Sequence, residues 1–453
     1  MHDLVIRGGA LVSASRTWRA DLAVAGGTIV EIGAAGPGRR EIDASGLLVL
    51  PGLVDPHTHI EAQFRPDGPF TADDWLSGST AAAFGGVTTV IDYARQFPGQ
   101  TLAEALEAWH VRAAERSVID YSPHLIVTDF SEATLGEITG LRERGFPSVK
   151  VFMMRVSDDQ LLRLVRAAAE AGSLLMVHAE NGHVLDARRE ELFAFGRRSA
   201  RWYGESRPEV GEAEATSRAI DYAALYDARI CIVHVSCAAA LDRVREGKRR
   251  GARVSAEVRP CYLLMDDSIY GRPEINPLEH SGCPPYRPRW NLAELWRGLA
   301  EGVLDVVGSD HCSWALREKS VGAEDFSLIP HGIPALETQL PALWTRGVAT
   351  GQVTANRLVE AMSTGPARLH GLYPRKGALQ VGSDADLVLF DPSKRVTIRN
   401  EAMHSRTGYE PCEGMVCTGW PVTTIARGEV IVENGELRAT PGRGALLTRA
   451  ATA

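Results

Sequence analysis

The sequence predicts a (β/α)8 barrel joined to a small β-sandwich, on three observations. Between residues 51 and 374, eight apolar runs of strand length recur, each followed by a stretch with helical character. Short apolar runs split by glycine-rich turns fill the first 50 residues, and a similar β pattern returns after about residue 375. The length, 453 residues, is too great for one ordinary domain and suits a large barrel with a companion. The expected division is 51–374 for the barrel and 1–50 with 375–453 for the sandwich and a C-terminal arm.

The terminal runs are 4–7 (LVIR), 22–25 (LAVA), 28–33 (TIVEIG) and 47–50 (LLVL), with Gly26-Gly27 supplying the positive φ that a tight turn needs. At the other end, 377–391 (GALQVGSDADLVLFD) and 422–433 (VTTIARGEVIVE) alternate and turn like strands, and the simplest assembly joins both ends into one sandwich. The barrel runs are 53–55, 87–93, 121–127, 148–153, 174–178, 230–235, 253–258 and 305–309. Their continuous apolar character suits parallel strands buried on both faces. Helical candidates between them include 102–116, 158–171, 211–227, 237–250 and 290–302. From about 437 the chain reads as an extended arm that could pack on another subunit.

Composition narrows the function classes. Hydrophobic residues make up 45% and charged residues 23%, the balance of a soluble globular protein. No apolar run reaches the ~18–20 residues that span a bilayer, so no membrane partner is expected. The start, Met1-His2-Asp3-Leu4-Val5, lacks the basic head and apolar core of a signal peptide, which makes the cytoplasm the expected compartment. Net charge is −8 and no basic tract forms a phosphate-binding stripe, which argues against nucleic acid. The seven cysteines are odd in number and widely spread, and Cys412 and Cys417 form no CxxC pair, so neither a disulfide framework nor a zinc ribbon is expected.

In such a barrel the working side chains stand at the C-terminal ends of the strands. The first strand ends in Asp55-Pro56-His57-Thr58-His59, and residues two apart on an extended chain point the same way. An HxH alone is weak. The fourth run carries Lys150 within Ser148-Val149-Lys150-Val151-Phe152-Met153. A cation there is costly to bury. Its stem either snorkels to the surface or its neutral amine takes up carbon dioxide to form a carbamate able to bridge two cations. The fifth and sixth runs end in His178 and His234, and the eighth in Asp310. Each residue alone has an ordinary structural explanation; six suitable residues at five strand ends argue jointly for a metal centre. Imidazole and carboxylate ligands suit Zn²⁺ first and other divalent metals after it. Two such ions ~3.5–4 Å apart would bring the pKa of a shared water from ~16 towards ~7.

At this point the sequence resembles the amidohydrolase superfamily and, within it, the dihydropyrimidinase/hydantoinase family. The matching stretches include Pro51 to His59, Thr71-Ala72-Asp73-Asp74, Ala83 to Thr89, Val149 to Met153, Val177 to Gly182, His234 to Ala238, Gly308 to Cys312, Gly382 to Leu387 and Gly419 to Val422. The resemblance implies that His57 and His59 hold the more buried metal, that His178 and His234 hold the other, and that carboxylated Lys150 bridges the pair. It implies that Asp310 binds the first metal and moves the proton from the attacking water to the departing ring nitrogen. The substrate would be a dihydropyrimidine, hydantoin or related cyclic ureide or imide, opened to a carbamoyl acid. Backbone groups at Cys283 and His331, where the family usually has Ser and Asn, would touch it, although both residues could equally be loop filler. The resemblance also implies a homo-oligomer, a tetramer or a dimer.

One position departs from the family. Five residues after the bridging lysine, a Tyr usually stabilises the developing oxyanion; here Arg155 stands there, in a shortened loop. Arg155 either replaces the Tyr or pairs with a substrate carboxylate, or the short loop turns it out to solvent. Two other readings compete. An allantoinase- or dihydroorotase-like hydrolase would take an acidic or larger substrate, but His59 is followed by Ile60-Glu61 rather than by the arginine usual in dihydroorotases. A non-catalytic scaffold relative would have lost metal ligands, and all six residues are present here.

Overall fold

A computed structural model describes residues 1–452. Eight parallel strands form one sheet in sequence order: Leu53–Thr58, Val87–Arg95, Asp120–Ile126, Ser148–Phe152, Leu174–His178, Ile230–Ile232, Val254–Val258 and Val306–Val307. The segment after the last strand bridges back to the first, with Thr58 parallel to His311 and His59 N donating to His311 O at 2.7 Å, so the sheet closes into a barrel. The observed strands lie within a few residues of the expected runs.

The five expected helices are present as Leu102–Ala114, Asp158–Ala171, Glu209–Leu225, Ala238–Arg249 and Trp290–Glu301. Local chemistry sets their ends. Thr101 with Glu104 and Ser157 with Gln160 form capping boxes, and Gly172 takes the left-handed conformation that closes a helix C-terminus. Three further helices, Trp75–Phe84, Glu132–Glu143 and Gly182–Ala194, carry weak periodic signals. The first is buried almost all round, the second contains Gly136 and Gly140, and the third buries only Leu192.

Both chain ends build the β unit. One sheet orders Thr28–Gly33, Asp21–Ala25, His2–Arg7 and Gly38–Asp43. The other orders Glu436–Leu437, Glu429–Glu433, Val416–Ala426, Leu387–Thr397, Leu48–Pro51, Ala10–Val12 and Thr17–Arg19. Leu387–Phe390 pairs antiparallel with Leu48–Pro51, which ties the C-terminal half to the N-terminal one. Alternation explains the burial of both faces: Leu387 and Leu389 enter the sandwich core with Leu4, Ile6 and Val49, whereas Val388 and Phe390 join the barrel core. Residues 377–386, expected to be strand-like, form turns instead, and only Asp384 makes an isolated bridge there.

Residues 444–450 of the tail lie against the chain's own barrel. Tyr121 N donates to Ala445 O, Leu447 N to Tyr121 O and Arg449 N to Gly145 O. Buried Arg449 reaches Ser122 Oγ at 2.9 Å and Ser148 Oγ at 2.7 Å. Among the described residues, no helix is long and apolar enough to cross a membrane.

Candidate active site

The C-terminal ends of the barrel strands open into one cavity of about 1380 Å³, lined among others by His57, His59, His178, His234 and Asp310. His57 Nε2 and His59 Nε2 lie 3.1 and 3.2 Å from the same oxygen, Asp310 Oδ1. These three ligand atoms are within 4.8 Å of one another and could hold a metal ion. The ring centroids of His57 and His234 are 5.6 Å apart, and those of His178 and His234 are 4.3 Å apart. Asp310 and His234 both have left-handed backbone, at φ 48° and 42°. Such strain in non-glycine residues persists where the surroundings hold it, and here it sits at the cavity floor.

Lys150 lies under this ring of groups. It is fully buried, and its Nζ has no hydrogen-bond partner among the described residues. The nearest aromatic face is Tyr93, 4.9 Å from Nζ. Burial pushes the ammonium down to about 8, against the pull of Glu257 and Asp310. Snorkelling to the surface, one of the two readings of this lysine, is therefore excluded: the amine ends inside the site.

The other shifts follow from the same low-dielectric setting. Burial lowers His59 to about 4, and Asp310 only partly offsets it. Burial also opposes protonation of His57, but the carboxylates of Glu257 and Asp310 outweigh it and raise its pKa. Burial alone would raise Asp310; the neighbouring His57 and Arg259 hold it well below the usual carboxylate range. The neutral His59 and the ionised Asp310 are in the protonation states that metal binding requires, whereas His57 would give up its proton on binding a metal.

Several supporting residues carried no isolated sequence signal. Glu257 Oε1 accepts from His57 Nδ1 at 2.7 Å and from His234 N at 3.1 Å, which orients two histidines at once. A glutamate inside the apolar strand Val254–Val258 is as anomalous as Lys150 and could have been noticed on that ground. Glu180, part of the His178 motif, bonds His178 Nε2 at 2.7 Å and accepts two bonds from Arg207. His178, Glu180 and Cys283 form a second group whose ligand atoms lie within 4.8 Å of one another. Tyr93 stacks on His59 with centroids 4.9 Å apart. Arg259, fully buried, reaches Asp310 Oδ2 at 3.3 Å.

The remaining expected residues lie higher on the wall. Cys283 Sγ is 3.4 Å from Glu180 Oε2 and 3.8 Å from His178 Nε2. His331 packs on the Tyr203 ring at 5.1 Å, with its Nδ1 buried and unpartnered. Both line the cavity. Arg155 ends the short 3₁₀ turn Met153–Arg155 after the fourth strand, is exposed, and also lines the cavity. It faces the cavity at its rim, apart from the histidine cluster. The arginine-after-HxH role is not filled locally, since Ile60 is buried in the barrel core and Glu61 pairs with Arg116 at 3.1 Å.

Residues 48–431 match the family described as the amidohydrolase family. A D-hydantoinase from Ralstonia pickettii is 40% identical over 455 residues, covering 99% of each chain. The solved dihydropyrimidinase from Brevibacillus agri superposes with a TM-score of 0.96 at 38% identity, covering 99% of each chain. An L-hydantoinase from Arthrobacter aurescens superposes with a TM-score of 0.92 at 32% identity, covering 99% of this chain and 100% of that one. The barrel and the groups at its mouth thus define an amidohydrolase, and the chain belongs to that family. Within it, the chain falls with the hydantoinases and dihydropyrimidinases and is a cyclic amide hydrolase.

Proposed function

We propose that His57, His59, Lys150 as its carbamate, His178, His234 and Asp310 hold two divalent metal ions, zinc by preference. In this reading the enzyme opens the ring amide of a dihydropyrimidine, hydantoin or related cyclic ureide or imide to the carbamoyl acid. The observation that carries it is Lys150: an amine buried without a partner, lowered towards neutrality and ringed by histidines. Carbon dioxide adds to the neutral Nζ and a proton leaves, which turns a costly orphan cation into an anion with two ligand oxygens. When bound, the metals would supply an acidified water and a polarised ring carbonyl.

The chain's own groups do the rest. Asp310 takes the proton of the attacking water and returns it to the ring nitrogen, without which an amide nitrogen leaves poorly. Glu257 and Glu180 fix the rings of His57 and His178. Backbone groups at Cys283 and His331 contact the ring; their place on the cavity wall supports this. A homo-oligomer, dimer or tetramer, is part of the reading and rests on the family resemblance. So is a cytoplasmic location, supported by seven free thiols. We divide the chain into 51–374 and 1–50 with 375–453; the separate cluster of Leu4, Ile6, Val49, Leu387 and Leu389, drawn from the two ends alone, supports this.

The test is metal analysis with a hydrolysis screen of dihydrouracil, hydantoins, cyclic imides and allantoin after loading with zinc and bicarbonate. About two metals per chain and ring opening are expected. Asp310→Asn should lower kcat by ~10²–10⁴-fold. A protein that binds no metal and stays inactive after loading overturns the proposal.

A further inference from the structure

The arginines of the cavity fall into two groups. Arg207 is neutralised by Glu180, and Arg189 by Asp186 at 2.9 Å. Arg65, Arg95 and Arg155 are not: among the described residues, none of the three makes a side-chain hydrogen bond or an ion pair, and Arg65 stands apart on the exposed loop after the first strand. Arg95 ends the second barrel strand and is half-buried, with its Nε fully enclosed and unpartnered. Arg155 follows the fourth strand. Between them on the wall stand Val127 and Thr128, just beyond the third strand.

That wall is preorganised. Gln96, itself buried, accepts N–H bonds from Thr128 at 3.0 Å and Asp129 at 3.1 Å through one oxygen, which pins the loop between the two arginines. The two guanidinium groups are close enough to repel, so that burial and then the charge of Arg155 lower Arg95. Three of the four carboxylates of the cavity are committed, and none of the four bonds Arg95 or Arg155. Asp310 faces His57, Glu318 faces Arg317 and Asp186 faces Arg189, while Asp67, on an exposed turn, bonds to neither arginine. A half-buried guanidinium with spare donors beside a second positive charge is unfavourable unless an anion completes it.

We propose that Arg95 and Arg155 form an anion subsite, and that this enzyme prefers cyclic amides whose ring substituent ends in a carboxylate. The aliphatic stem of the substituent would lie along Val127, Phe130 and Phe152, and the carboxylate would reach the arginines at the rim. The subsite rests on the reading of this cavity as the seat of the cyclic amide. It differs from a dihydroorotase-like arrangement because the anion is gripped above the second and fourth strands, away from the segment following His59.

Two readouts test it. The first is kcat/KM of the zinc-loaded enzyme for 5-(2-carboxyethyl)hydantoin against its neutral isostere 5-(2-carbamoylethyl)hydantoin. The second is calorimetric binding of the matched ring-opened products, N-carbamoylglutamate and N-carbamoylglutamine. The wild-type protein should favour the acid member by about tenfold or more in both readouts, and added salt should shrink the ratio because the rim is exposed. In Arg95→Met and in Arg155→Met the ratio should fall to within about threefold of unity. A wild-type ratio near one, or a ratio that survives both substitutions, overturns the subsite. Ring opening without acid preference sinks the subsite alone, whereas failure to open any ring strikes the proposed function and leaves the binding ratio to decide the subsite.

Discussion

Glu410 shows how a single buried group ties stability to pH. It accepts a hydrogen bond from Cys412 N at 3.0 Å and faces Thr338 Oγ1 at 3.4 Å. Burial pushes its carboxyl up to about 8 from an ordinary 4.5, and Glu337 adds repulsion. In the window between those values the folded protein keeps the proton while the unfolded chain releases it. Stability contributed by this group is therefore fully present below about 4.5 and is lost as pH rises towards 8. Glu410→Gln should remove that slope and leave the variant roughly 2–4 kcal/mol more stable than wild type at pH 8. Urea unfolding from pH 5 to 9 checks this, and parallel curves for the two proteins would contradict it.

At the scale of elements, the turn that carries Arg155 is held by a close backbone approach. Met153–Arg155 packs on the first turn of the helix Gly182–Ala194. A Cβ on Gly182 would sit 2.8 Å from Met154 O and 3.3 Å from Met154 Cα. Backbone cannot swing aside as a flexible side chain can, so the contact is relieved only by moving the turn. Gly182→Ala is expected to cost about 1–3 kcal/mol in urea unfolding; an unchanged midpoint would show that the turn gives way freely.

For the whole molecule, the joint between β unit, barrel and tail is a buried charge cluster. Lys376, fully buried, donates to Asp120 at 2.6 Å and Asp386 at 2.8 Å and lies 3.0 Å from Asp384. Asp120 begins the third barrel strand, and its other oxygen accepts from Ala445 N in the tail at 2.9 Å. Lys376→Met removes the shared central cation, leaving Asp386 without one and Asp120 and Asp384 with only the more exposed Arg427 and Arg375. A loss of about 3–5 kcal/mol is expected, read by chemical denaturation, and a loss below about 1 kcal/mol would mean that water replaces the lysine cheaply.

Much of this protein was legible in its sequence, because the signals involved are local. Continuous apolar runs, helix periods and glycine turns depend on near neighbours along the chain, so the eight barrel strands and five of the helices could be located. The residue types at the strand ends, His57, His59, Lys150, His178, His234 and Asp310, pointed to the barrel mouth in the same way, and His57, His59 and Asp310 do meet there. What the tertiary structure decided are pairings across long sequence separations. His57 meets Glu257 across 200 residues, and Asp310 meets Arg259 from a neighbouring strand. The helices at 75–84 and 182–194 also needed the fold, since burial all round, or almost none, erases the polar and apolar faces that reveal a helix, and Gly136 and Gly140 weaken the signal of the one at 132–143. So did the fate of Arg155: a sequence states its charge, but whether a carboxylate neutralises that charge depends on which segments the fold brings beside it.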